Sequence, residues 1–108
     1  MTRYGWYGGL MKDGNTKTSQ YAHQVGQKLP NPFGLHDMHG NVGEWCEDVL
    51  SDRLPGGTNP LVTTGSSVRV QRGGSWPYEQ QDARSANREA YSPDYRDSYI
   101  GFRILRPR

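Results

Sequence analysis

The residues best suited to chemistry lie in two stretches, 36–48 and 72–99. In the first, His36 and His39 stand three apart, with Asp37, Glu44 and Cys46 nearby. Two histidines without a third ligand do not make a zinc site. The single cysteine excludes an intrachain disulfide and a cysteine metal cluster, and Cys46 reads as a small buried hydrophobe. No Ser-His-Asp order or spaced carboxylate pair supports hydrolytic catalysis. In the second stretch, Trp76, Tyr78, Tyr91, Tyr95 and Tyr99 are interleaved with Ser, Asp, Glu and Ala. Binding paratopes share this makeup, because Tyr supplies contact area at low entropic cost. A cleft bordered by these five rings, with Arg84 and Arg88 in its floor, is the expected ligand site.

Such rings need a frame. Hydrophobic residues make up only 32% of the 108-residue chain, yet it holds seven Tyr, three Trp, two Phe and 14 Gly. Many aromatics and a net charge of only +2 argue against disorder. The composition describes one small folded domain with much irregular backbone, pinned by large rings. In the first third, Tyr4, Trp6, Tyr7, Tyr21 and Phe33 read as aromatic pegs on a loop, and Pro30–Pro32 as a turn. Residues 42–47 fit either a helix from Asn41 or a strand. The strand would put Val42, Glu44 and Cys46 on one face and Gly43, Trp45 and Glu47 on the other. Residues 68–76 alternate as a strand with a Gly-Gly kink before Trp76. Short strands are expected at 83–88 and 99–105, and 51–67 reads as loop.

Ten of the 13 basic residues are Arg, the type suited to planar pairing. Arg72, Arg84, Arg88 and Arg103 are expected to pair with Asp37, Glu44, Asp82 or Asp94. The eight Arg of 69–108 are mixed with five acids, so no basic stripe marks nucleic-acid binding. No apolar run is long enough for membrane insertion, and the first residues lack the hydrophobic core of a signal peptide. Localisation stays open.

Three segments together carry a resemblance: LPNPFGLHDMHGNVGEWCED at 29–48, VRVQRGGSW at 68–76 and RSANREAYSPDYRDSYIGFRILR at 84–106. In order and spacing they resemble the formylglycine-generating enzyme, or sulfatase-modifying factor, family. The resemblance implies an α+β, C-type-lectin-like fold, loop-rich, with small antiparallel sheets and little helix. It implies a single domain over 1–108 that is shortened at its N-terminal side relative to the family. A second copy or a partner chain is expected to cover the surface so exposed.

The family holds calcium in the first segment. The resemblance assigns the ligands to Asp37 and Glu44 side chains and the Gly40 and Val42 carbonyls, a mix that suits this ion. One departure stands out: the family carries Trp or another large residue at the position of Gly43, so something else must fill that space. The family's oxidase chemistry uses two cysteines just after the GGS-aromatic motif, where copper binds. Here that stretch reads PYEQQDARSAN, without cysteine, and no copper is expected. The leading expectation is a non-catalytic module binding a protein or glycan between GGSW and GFR. The alternative is a sulfatase-modifying enzyme domain or accessory subunit that has lost its cysteines. Variable proteins of diversity-generating retroelements also keep the RGGSW and GFR frame and vary the residues between, which fits the Tyr, Ser, Asp and Ala found here.

Overall fold

A computed structural model describes residues 3–8 and 21–107. It contains six strands: β1 (Gly5–Trp6), β2 (His39–Gly40), β3 (Gly43–Val49), β4 (Arg69–Arg72), β5 (Glu89–Tyr91) and β6 (Ile100–Gly101). One 3₁₀ turn, Gln80–Ala83, is the helical element among the described residues. The start of the chain pairs with the family-like segment, β1 running parallel to β2. The main sheet has the order β5-β4-β3-β6. β3–β4 and β4–β5 are antiparallel, whereas β6 runs parallel to β3. The two-stranded sheet is therefore parallel and the four-stranded sheet mixed, where small antiparallel sheets were expected. After β5 the 92–99 loop carries the chain to the far edge of the sheet, where β6 joins beside β3 in the same direction, and parallel neighbours need such a long connection.

The strand reading of 42–47 is the correct one, and β3 extends to Val49. Its register against β4 pairs Glu44 with Arg72 and Trp45 with Gln71, then slips before Val49 meets Arg69. Such a slip is a bulge, which bends the strand locally. The strand expected at 83–88 is displaced. Asp82 Oδ2 accepts the Glu79 amide at 3.2 Å and ties off a tight turn, and strand pairing resumes only at Glu89. The last strand is limited to Ile100–Gly101 and does not continue to 105.

Among the described residues the buried apolar core is small: Tyr7, Val49, Val70 and Ala83. Hydrogen bonds hold the loops around it. Asn41 is the hub. Its amide donates to the Trp6 carbonyl at 2.6 Å and its own carbonyl accepts the Trp76 amide at 2.8 Å. Its side chain grips both main-chain groups of His23. The backbone there is left-handed, φ 68°, which Asn tolerates better than most residues. Asn31 plays a smaller version of this part, its Oδ1 accepting the Phe33 and Leu35 amides in the expected turn. The aromatic pegs divide. Tyr7 is buried and Trp6 half-buried, with Trp6 stacked on His23 at 3.6 Å, whereas Tyr4, Tyr21 and Phe33 stand exposed.

Candidate binding surface

The sheet delivers the tyrosines from three places. After β4, Gly73 (φ 96°) and Gly74 (φ 68°) turn the chain out of the sheet, and Trp76 and Tyr78 follow. Tyr91 ends β5, and Tyr95 and Tyr99 sit on the loop that leads to β6. These segments converge. The Tyr78 and Tyr99 rings meet edge to face at 5.5 Å, and Tyr91 and Tyr95 stack at 5.1 Å. The hydroxyls close the circuit: Tyr78 to Tyr91 at 3.3 Å and Tyr95 to Tyr99 at 3.1 Å. Four tyrosines thus form a closed ring of contacts. Trp76 joins its edge, its indole N–H donating to the Ser98 carbonyl at 3.3 Å. Tyr95 is exposed and the other four aromatics are half-buried, so one side of every ring is secured by a neighbour.

Carboxylates orient the hydroxyls. Tyr91 donates to Glu89 Oε2 and Tyr95 to Asp97 Oδ2, both at 3.2 Å. Burial, then the bond to Tyr78 and the Glu89 charge, drive the Tyr91 phenol well above its usual range. The bond to Tyr99, followed by desolvation and Asp97, pushes Tyr95 up to about 12. Burial also raises the Glu89 carboxyl, partly offset by the Tyr91 hydroxyl. Tyr91 and Tyr95 therefore offer neutral phenols at physiological pH, suited to apolar and hydrogen-bonding contact.

Arg84 and Arg88 do not form a floor beneath these rings. Arg84 folds back, its Nε donating to the Gln81 carbonyl at 2.8 Å. Arg88 donates from Nη1 to the Ser51 carbonyl at 2.7 Å, in a separate cleft shared with Cys46 and Val70. Arg72 likewise turns to a carbonyl, that of Ser85. Of the four expected arginine–carboxylate pairings, the described residues contain one. Arg103 binds Glu44 through two hydrogen bonds, 3.0 Å from Nε and 2.9 Å from Nη2. In a loop-rich chain, unpaired carbonyls compete with carboxylates for guanidinium donors.

The 36–44 segment is more constrained than its sequence suggested. Asp37 has φ 56° and only 6% exposure. Its Oδ2 accepts the Gly26 amide at 2.8 Å, while Oδ1 is buried without a hydrogen-bond partner. A cleft of about 510 Å³ adjoins it, bordered by Val42, Glu44 and Phe102. The two histidines diverge: His36 Nδ1 lies 3.0 Å from the Lys28 carbonyl and His39 Nδ1 lies 2.6 Å from that of Ala83. Cys46 is half-buried and borders two clefts, so it is not the fully buried hydrophobe expected. Burial raises its thiol pKa, with partial relief from Arg72.

Sequence reasoning missed Asn41 and Gln71. Gln71 is 2% exposed, and its Oε1 occupies the space over Gly43, where an added Cβ would lie only 2.8 Å away. That side chain fills the space over Gly43 for which the resemblance called for another occupant. Alternation gave no signal for Gln71: it lies on the sheet face opposite Val70, and both are buried because the sheet is covered on each side there.

Residues 3–108 match the sulfatase-modifying factor enzyme 1-like domain. The chain belongs to that family. The sulfatase-modifying-factor fold, a C-type-lectin-like architecture rich in loops, is thus the frame of the tyrosine ring. Among curated relatives, a serine/threonine-protein kinase pkn1 of Chlamydia pneumoniae is 40% identical over 84 residues, covering 71% of this chain and 13% of the kinase. The formylglycine-generating enzyme of Thermomonospora curvata is 32% identical over 102 residues, covering 85% of this chain and 32% of that enzyme. The solved Treponema denticola variable protein 1 superposes with a TM-score of 0.75 at 37% identity, over 94% of this chain and 35% of that one. The chain therefore spans a third or less of the curated relatives named here. No helix among the described residues is long and apolar enough to cross a membrane.

Proposed function

We propose that this domain is a non-catalytic binding module that takes a protein or glycan ligand on Trp76, Tyr78, Tyr91, Tyr95 and Tyr99. The observation that carries this reading is the closed tyrosine ring. It presents preorganised aromatic surface whose rings are held by one another, which lowers the ordering cost of binding. The cysteine-free 77–87 stretch weighs against copper oxidase chemistry. The likeness to a variable protein supports the further reading that residues 77–99 are the diversified part of a retroelement-type receptor. A reverse transcriptase gene beside an adenine-rich copy of these codons would bear that out.

Calcium belongs to the same proposal. An orphaned, buried carboxylate oxygen on Asp37 is the kind of group a cation satisfies. Asp37, Glu44 and the Gly40 and Val42 carbonyls would hold it, with Glu44 shared between the ion and Arg103. The ion would stiffen the turn that carries Asn41. Phe102 and Ile104 are 77% and 85% exposed beside this cleft, and a second copy or partner chain is proposed to cover them.

The test is a screen of the immobilised domain against a glycan panel and a displayed peptide library. Hits should be lost in the Y91A/Y95A double variant while its melting curve stays cooperative. Hits retained by that variant would overturn the assignment. Copper-dependent conversion of a cysteine-containing sulfatase peptide to formylglycine would overturn the non-catalytic reading.

A further inference from the structure

A second site lies apart from the tyrosine ring. Arg72 ends β4 and Arg88 lies just before β5, beyond the Gln71–Glu89 pair, so both arginines stand at one end of the β4–β5 ladder and border one cleft. Both are half-buried, and Val70 shares the sheet face of Arg72. On its other side Arg72 is in register with Glu44, whose carboxylate is taken by Arg103. Neither guanidinium has an ion-pair partner among the described residues. Each spends one Nη1 on a main-chain carbonyl, Ser85 for Arg72 and Ser51 for Arg88. Those bonds fix the two guanidinium planes and leave further N–H donors on each. Asp48 borders the same cleft, but its Oδ2 accepts the Val62 amide at 3.1 Å, and it forms no ion pair with either arginine.

The cleft between this face and the 51–62 loop has a volume of about 250 Å³. That is below the ~300 Å³ at which pockets for drug-sized ligands begin. Its walls are Leu54, Pro55 and Pro60, and Val70 lies in its floor. Two guanidinium groups without an ion pair, set against apolar walls, describe an anion with a short hydrocarbon body. Guanidinium forks match carboxylate geometry. We infer that Arg72 and Arg88 form a binding site for a small organic carboxylate, seated between the sheet and the 51–62 loop. Cys46, which borders the cleft, serves as a built-in reporter.

The experiment titrates the intact domain with butyrate, inorganic phosphate and butanol. It follows the Arg72 and Arg88 Nε–H signals by NMR and the rate at which iodoacetamide alkylates Cys46. Butyrate should shift both arginine signals saturably and slow alkylation. R88Q should weaken butyrate about tenfold, the loss expected of one charge-assisted hydrogen bond, while R96Q, which removes an exposed charge outside the cleft, should not. The wild-type titration stands alone if R88Q fails to fold. No saturable shift, or an equal response to butanol, overturns the site. Phosphate binding as tightly as butyrate overturns the carboxylate assignment.

Discussion

Alanine at Gly74 is expected to cost far more than alanine at Gly56, although both glycines have φ 68°. The matched dihedral makes the pair informative. A side chain in left-handed backbone costs about 1–2 kcal/mol at either site. At Gly56 an added Cβ meets nothing within 4 Å. At Gly74 it would lie 2.8 Å from Ala83 Cα, and 2.9 Å from the Ala83 nitrogen and the Asp82 oxygen. Those are backbone atoms of the 3₁₀ turn and cannot rotate aside. Overpacking of this kind costs about 1–3 kcal/mol more. The total at Gly74, about 2–5 kcal/mol, is a large share of the ~5–15 kcal/mol that holds a typical domain together. At ~4–8 °C per kcal/mol for a domain near this size, G74A should melt about 5–20 °C below G56A. Thermal unfolding followed by circular dichroism, with urea midpoints as a second measure, gives the comparison. Equal losses in the two variants would refute the reasoning, since they would mean that the glycine turn and the 80–83 turn do not touch.

Two more outcomes are expected. The Tyr95 phenol, at about 12 against an ordinary 10.0, favours its protonated form in the fold. Its contribution to stability is therefore complete below pH 10 and fades as pH rises through 12. Phenolate absorbance should show Y99F titrating earlier than wild type, and an unchanged titration would break the hydroxyl link. Calcium should raise the melting temperature, by an amount that follows the mass-action relation, about 2.7 kcal/mol at a hundredfold excess over Kd. The effect should vanish in D37N, and a chelator that leaves the wild-type transition unmoved would empty the proposed site.

How far the sequence foretold this arrangement depended on how local the deciding forces are. Alternation at 68–72 was decisive because Val70 must reach the core. The glycine pair before Trp76 announced the exit from the sheet for an equally local reason. Residues 42–49 were ambiguous, because helix and strand both bury part of GEWCEDV. The choice came from β4 and β6 on either side. The strand at 89–91 was misplaced because the Glu79–Asp82 turn spends residues that alternation alone would call extended. Tyrosine content flagged the candidate surface, but the ring is a product of long-range closure between Tyr78, Tyr91, Tyr95 and Tyr99, for which spacing gives no rule. The arginines were the poorest guide. Their charge suggested carboxylate partners, and only Arg103 found one. The others took carbonyls that a more regular sheet would have paired.

The contact between Gly43 and Gln71 constrains the routes by which this chain could change. A first carbon added at position 43 would meet Oε1 of Gln71, the movable end of a side chain, and not main chain. Residues 43 and 71 are therefore coupled: a larger residue at 43 enters only as the Gln71 amide swings aside. The cost of that exchange lies less in the space at 43 than in where a displaced, buried amide finds hydrogen-bond partners.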